Sequence, residues 1–266
     1  MELGAQTRVL VTGASRGIGR ATAEQFAARG CVLGLVARNT EELERLGSEL
    51  DSRAADVQVL TADIAEADQI RDAIRSFVEQ SGGLDVLVAN AGIAYYGSFR
   101  DSTLEEAEQM TRVNWIGTLY TVAAALPHML ERASGRIVIV SSAAGHRAFP
   151  QAAVYGATKF AQRGFLEALH HELAGTGIGV TGVYPGSIET HLHDHARAND
   201  RVPDWRQAGI PPVRVAEAIV EGVEEDKRAV FVPRFTRLLG LAHGISPRLA
   251  DRLVRRAVGR SAAPAR

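Results

Sequence analysis

The sequence predicts a doubly wound α/β domain in which a parallel seven-stranded sheet carries helices on both faces. Three observations support this. Short, β-branched apolar runs recur at 8–12, 31–37, 57–61, 85–89, 136–141, 178–183 and 229–232. They are nearly continuously apolar instead of alternating, as strands covered on both faces are. Between them lie segments of helical period, near 17–29, 40–50, 66–80, 103–112, 114–132, 154–174 and 213–225. Repeated strand–helix alternation implies right-handed crossovers and a parallel sheet.

The first run ends at once in Gly13-Ala14-Ser15-Arg16-Gly17-Ile18-Gly19, which opens the first helix. Glycine lets the backbone turn tightly and approach a ligand, and the new helix points free amides and a positive end at an anion. Such a turn suits a pyrophosphate. Its G-x-x-x-G-x-G spacing lacks the Lys-Ser/Thr of a nucleoside-triphosphate loop. The second run ends Val36-Ala37-Arg38-Asn39, without the acid that grips ribose hydroxyls in sheets binding NAD. Arg38 can form a charge-assisted fork with a 2′-phosphate, and Arg16 supplies a second cation. The expected cofactor is therefore NADP(H) over NAD(H). Asn39-Thr40 then begins the second helix, with Glu41 and Glu42 in the first turn where the helix dipole favours acids.

After the fifth run stands Ser141-Ser142, and thirteen residues beyond Ser142 comes Tyr155, followed by Lys159. Residues four apart share a helix face. A free phenol ionises near pH 10 and is a poor acid–base group at neutral pH. A neighbouring ammonium and an oxidised nicotinamide both stabilise its anion. The Ser142 hydroxyl can then hold the substrate oxygen on which charge develops during hydride transfer.

Composition narrows the classes. The chain has 266 residues, 46% hydrophobic and 23% charged, too apolar for a disordered chain. A net charge of −1 gives no global field toward nucleic acid. One cysteine, Cys31, fits a reducing, cytoplasmic setting and excludes a Cys-based metal cluster. The first residues lack the layout of a signal peptide, and no apolar run reaches membrane-spanning length. No linker interrupts the chain before residue 190, so residues 1–233 are expected to form one catalytic domain. Its segment 187–212, without clear period, would be a flap. Residues 234–266 carry eight arginines and one acid, Asp251, and form a basic amphipathic extension. The acidic body offers counter-charge for it, while an anionic membrane surface is the alternative.

Two other chemistries compete. Gly13-Ala14-Ser15-Arg16-Gly17 also fits the G-x-S-x-G elbow of a serine hydrolase, but that leaves Tyr155 and Lys159 unexplained. His191, His193 and His195 invite a metal reading, yet in a polar, Pro-flanked segment solvated histidines are the commoner outcome, and no metal is expected. A cofactor-binding sensor or scaffold without turnover would ordinarily lack some of the catalytic residues.

Together these motifs resemble the short-chain dehydrogenase/reductase family from about residue 7 to 232, which implies a Rossmann-type domain and an oxidoreductase. The cofactor turn is Thr12 through Gly19, with Gly13, Ser15, Arg16, Gly17, Ile18 and Gly19 as its contacts. The resemblance further implies that Asp63 and Ile64 meet the adenine, and that Asn90-Ala91-Gly92 brace the sheet and line the site. Ala89 departs from the family's Asn-Asn-Ala-Gly. Asn114 matches the catalytic asparagine, which in the family is thought to hold a water linking lysine to solvent. Ser142, Tyr155 and Lys159 complete the tetrad, the last two also touching cofactor. Pro185, Gly186, Ile188 and Thr190 resemble the segment clasping the nicotinamide. Hydride then passes between nicotinamide and a carbonyl or carbinol carbon, with Tyr155 giving or taking the proton. The resemblance also implies a homodimer or homotetramer. The expected substrate-side residues are 93–96, 143–151 and 187–212, including Tyr95, Tyr96, His146, Phe149 and Trp205. Their bulk points to an apolar ketone, aldehyde or secondary alcohol, with Arg147 the one residue placed to hold an anion.

Overall fold

β1 (Arg8–Thr12) lies near the middle of the sheet because both of its faces are apolar: Val9 and Val11 face one side, Leu10 the other, and all three are fully buried. The computed structural model describes residues 1–190, 192, 209–238, 244, 246, 248, 251 and 252. Seven parallel strands stand in the order β3-β2-β1-β4-β5-β6-β7. The remaining strands are β2 (Val32–Ala37), β3 (Asp56–Thr61), β4 (Val86–Ala89), β5 (Gly135–Val140), β6 (Ile178–Pro185) and β7 (Ala229–Val232).

The first three strands step outward in one direction, and β4 then returns to the other side of β1. The loops leaving the carboxyl ends of β1 and β4 therefore diverge, and a crevice opens between them. Helices α1 (Gly17–Ala27), α2 (Thr40–Leu50) and α7 (Pro212–Glu224) cover the face lined by Val9 and Val11. They bury Phe26, Leu43, Leu46 and Ile219. Helices α3 (Ala67–Ser81), α5 (Gly117–Glu131) and α6 (Ala153–Glu172) cover the other face around Leu10, Leu87 and Ile137. There Phe77 is fully buried, and Met129 and Leu166 pack nearby. Truncating a side chain such as Phe77 would cost about 3–5 kcal/mol, so these two layers hold the crevice rigid.

The expected strands and helices form within a few residues of their predicted bounds. Asn39 caps α2 by accepting from the Glu42 amide at 3.1 Å, with Glu41 and Glu42 in the first turn. One boundary needs correction. The two helices expected at 103–112 and 114–132 are not separated near residue 113. Helix α4 (Leu104–Met110) runs through a π-helical turn, Thr111–Ile116, into α5. Its wider register accommodates Asn114, whose side chain is bound to the backbone at Ile93.

Of the expected flap, Ile188 and Ile210 bridge in parallel, with Glu189 N donating to Ile210 O and Ile210 N to Ser187 O, both at 3.0 Å. Its two ends are thus tied together, while His191, His193, His195 and Trp205 lie outside the described residues. So does most of the extension 234–266. In its described part, Phe235 and Leu238 are exposed and Thr236 is buried. Asp251, the tail's one acid, is paired with Arg147 of the body. Among the described residues, no helix is long and apolar enough to cross a membrane.

Candidate active site

The crevice is a cleft of about 370 Å3 spanning the carboxyl ends of β1, β2, β4, β5 and β6. At its centre Asn90 ties two strands together. Its Nδ2 donates to the carbonyls of Thr12 (3.0 Å) and Gly13 (3.3 Å). Thr12 Oγ1 returns the connection by accepting from the amides of Asn90 and Ala91. The lips of the crevice are therefore fixed by side chains from both sides. Thr12 was not among the expected contacts, and its role depends on β1–β4 pairing, which its local sequence does not record.

The glycine turn is built for close approach. Gly13 and Gly17 hold φ of +65° and +59°, a region costly for residues with a Cβ. A Cβ on Gly19 would lie 2.1 Å from the Gly13 carbonyl oxygen. Arg16 precedes α1 in an extended conformation and makes no side-chain cap, so the first amides of α1 remain available to an anion at the cleft. Gly13, Ser15, Arg16, Gly17 and Ile18 line the cleft, whereas Gly19 packs behind them.

Farther along, Arg38, Asp63 and Ile64 line the outer end, with Ala37, Asn39, Glu42 and Ala62 as lining residues that the motifs did not indicate. Asp63 Oδ1 accepts from the Ala65 amide at 2.9 Å and its own amide donates to Gln69 Oε1. Ala91, Gly92, Pro185, Gly186, Ile188 and Thr190 line the inner end. A glycine cradle that a Cβ would fill and the free amides at the start of α1 fit a dinucleotide.

Ser142, Tyr155 and Lys159 meet at this inner end, and each is 4% exposed. Tyr155 and Lys159 sit one turn apart on α6, with Lys159 Nζ 5.8 Å from the Tyr155 ring centroid. Ser142 Oγ accepts from the Ala144 amide at 3.1 Å. Lys159 Nζ donates to Val140 O and to Gln162 Oε1, both at 3.0 Å. Burial pushes its pKa down from 10.5 to about 7.

Asn114 stands apart from the other three. It is fully buried and does not line the cleft. Its Oδ1 accepts from the Ile93 amide, and its Nδ2 donates to Ile93 O and Thr158 Oγ1. It joins the π turn to the 90–93 segment and to α6. The sequence reading also missed Gln162, whose only signal is its place three residues after Lys159, on the same helix face.

The expected substrate side divides in two. Ile93 and Leu192 line the cleft, joined by Val113, which lies outside the expected segments. Tyr96 is instead buried with its ring 5.9 Å from that of Tyr155, and His146 packs on Tyr184 and Phe231. Arg147 is engaged by Asp251. Among the described residues no histidine lines the cleft and no group of metal-binding side chains occurs; His191, His193 and His195, on which a hydrolase base or a metal site would depend, lie outside them.

A parallel sheet with a glycine turn at its crossover and a Ser–Tyr–Lys cluster at its carboxyl end defines a nucleotide-dependent oxidoreductase. The sequence profile of the short chain dehydrogenase family matches residues 7–201. The chain is 34% identical over 234 residues to an uncharacterised oxidoreductase of Listeria monocytogenes, covering 86% of this chain and 94% of the relative. Among solved structures, a short-chain dehydrogenase from Sphingobium yanoikuyae in complex with NADPH is 27% identical, with a TM-score of 0.79 over 97% of this chain and 98% of that one. A short-chain dehydrogenase/reductase from Burkholderia phymatum in complex with NAD shares the fold, with a TM-score of 0.84 over 100% of this chain and 99% of that one at 24% identity. The chain belongs to the short-chain dehydrogenase/reductase family. It is an oxidoreductase of the kind that interconverts CH–OH and C=O groups.

Proposed function

We propose that the chain is an NADP(H)-dependent oxidoreductase acting on an apolar carbonyl or secondary alcohol, with Tyr155 as proton donor and acceptor. The observation that carries this reading is Lys159 Nζ 5.8 Å from the Tyr155 ring at the inner end of a glycine-cradled cleft. Arg16 and Arg38 on the lining, with no acid at the end of β2, support the phosphorylated cofactor. The NADPH complex of the Sphingobium relative agrees with it. Ile93, Val113 and Leu192 support the apolar substrate.

Bound nicotinamide supplies the carbon that gives or takes the hydride. The glycine turn and α1 amides hold the pyrophosphate, while Arg38 and Arg16 hold the 2′-phosphate. Ser142 Oγ, which gives its proton to Pro185 O over a long 3.4 Å, turns that proton to the substrate oxygen and fixes it beside the phenol of Tyr155. In reduction Tyr155 Oη releases its proton to that oxygen, and in oxidation it takes one. Lys159 stabilises the phenolate through its charge. Two of its three N–H groups are committed to Val140 and Gln162, which leaves one for a ribose hydroxyl. Asn114 holds the 90–93 wall against α6. Residues 1–233 form the catalytic unit, working as a homodimer or homotetramer, and the extension 234–266 docks on the body.

Tyr155→Phe tests the reading directly. Across a panel of ketones and aldehydes of graded size, turnover with NADPH falls roughly 10²–10⁴-fold, while NADPH binding, followed by nucleotide fluorescence, persists. Retained turnover in the variant would overturn the assignment.

A further inference from the structure

The side chain of Gln162 is 1% exposed and makes three polar contacts with the chain. Its Oε1 accepts from Lys159 Nζ at 3.0 Å. Its Nε2 donates to the Asn114 carbonyl at 2.7 Å and to Thr118 Oγ1 at 2.8 Å. This orientation of the amide is forced. An ammonium is a donor only and a carbonyl an acceptor only, so a flipped amide would face both with the wrong atom. Thr118 Oγ1 in turn donates to the same Asn114 carbonyl at 2.7 Å. Both lone pairs of that carbonyl are thus occupied, by an amide and a hydroxyl of the chain itself.

We propose that Gln162 is a positioning residue for Lys159: it anchors the ammonium from behind and stabilises its charged form, linking it to the Asn114 carbonyl through a neutral amide. The proposal rests on the catalytic reading of Lys159 given above. The surroundings leave few alternatives. On its own helix, Tyr155 is the ionisable group beside the ammonium. The elements packed around it present neutral groups: Val140 O at the end of β5, Ser141 beyond it, Asn114 on the π turn, Thr118 on α5 and the backbone at Gly92. On β6 and the 143–146 turn, Tyr184 and His146 face each other. Burial is the only cause of the lysine's shift, with no contribution from a carboxylate or cation. In such a place each of the two acceptors, Val140 O and Gln162 Oε1, weighs heavily on how readily the amine keeps its proton, and Gln162 is the one a side-chain substitution can change.

The sequence makes the test unusually direct. The chain contains two lysines, Lys159 and Lys227. Protein grown on 13C-lysine therefore gives two ε-carbon signals, which a Lys227→Arg variant assigns. Lys227 binds Glu221 and Glu225 on the surface and serves as the internal control. In the cofactor-free chain, Gln162→Leu lowers the Lys159 titration midpoint by about one pH unit and Gln162→Glu raises it by about as much, with Lys227 unmoved. The alkaline limb of NADPH-dependent reduction shifts in the same two directions, with KM for NADPH nearly constant. Midpoints that stay put, or that move the same way in both variants, would overturn the proposal. Where Gln162→Leu fails to fold, Gln162→Met takes its place, and the upward shift in Gln162→Glu must still be seen. The titration needs no substrate. A wild-type chain inert toward every carbonyl would defeat the catalytic reading, while the midpoints would still decide the role of Gln162.

Discussion

Arg38 Nη1 lies 3.7 Å from Asp63 Oδ2 across the outer end of the cleft, and the two side chains keep 56% and 30% of their exposure. An ion pair this long and this wet contributes about 0–1 kcal/mol, so a phosphate can draw Arg38 away from Asp63 at little cost. Charge-assisted bonds from a guanidinium to phosphate are stronger, and no acid at the end of β2 opposes them. Arg38→Leu should weaken NADPH binding roughly 10–100-fold and leave NADH binding within a factor of about three. Fluorescence titration of both nucleotides measures this. An equal loss for both would remove Arg38 from recognition of the 2′-phosphate.

Gly19 tests the cradle without touching any charge. A Cβ there would stand 2.1 Å from the Gly13 carbonyl oxygen and 2.6 Å from Asn90 Nδ2. Both are rigid, because Asn90 is the cross-link between β1 and β4. The turn must move, carrying Gly13 and the start of α1 away from the anion position. Gly19→Ala should lower affinity for NADPH and NADH alike by at least tenfold, with a lower melting temperature. Unchanged binding of both nucleotides would show that the turn does not hold the pyrophosphate.

What the sequence disclosed and what it withheld have a common physical origin. Runs such as 8–12 and 136–141 are apolar on both faces, which requires burial in a parallel sheet whatever surrounds them. The glycine turn and the Tyr155–Lys159 pair are local too, one fixed by backbone freedom and the other by helix geometry. The cross-link that Thr12 makes, the place of Gln162 and the π turn around Asn114 are not visible because their partners lie far along the chain. Thr12 meets Asn90, Gln162 meets Asn114 and Thr118, and Asn114 meets Ile93. No spacing encodes those meetings. Likewise His146 has the composition of a substrate-side residue, and only the packing of β6 and β7 assigns it to the Tyr184–Phe231 cluster.

Lys159 also makes stability depend on pH. Its pKa in the folded chain is about 7, against 10.5 unperturbed, because charging it inside the protein is costly. Between those values the unfolded chain binds more protons, so this group's contribution is full above about 10.5 and is lost as pH falls toward 7. Lys159→Met removes the linkage. The melting temperature of the variant minus that of the wild type should therefore be larger at about pH 6 than at about pH 9.5. Differential scanning calorimetry at both values checks it, and a difference independent of pH would mean the amine is not desolvated.

His146 sets the corresponding window on the acid side. Its ring stands edge-on to Tyr184 at 4.3 Å and 5.2 Å from Phe231, while Tyr184 stacks on Phe231 at 5.0 Å. Burial in this cluster, assisted by the nearby positive charge of Arg163, lowers its pKa to about 4. Burial also drives the Tyr184 hydroxyl up to about 12. Below about pH 6.5 an unfolded chain protonates this imidazole and the folded chain does not, so the stabilisation held at neutral pH drains away as pH falls toward 4. His146→Phe keeps an aromatic ring against Tyr184 and Phe231 and has no proton to bind. Its melting temperature should fall less than that of the wild type between about pH 6.5 and 4.5, with the two curves running parallel above that range. Parallel curves throughout would place the acid sensitivity in other groups and show the His146 ring to be accessible to water.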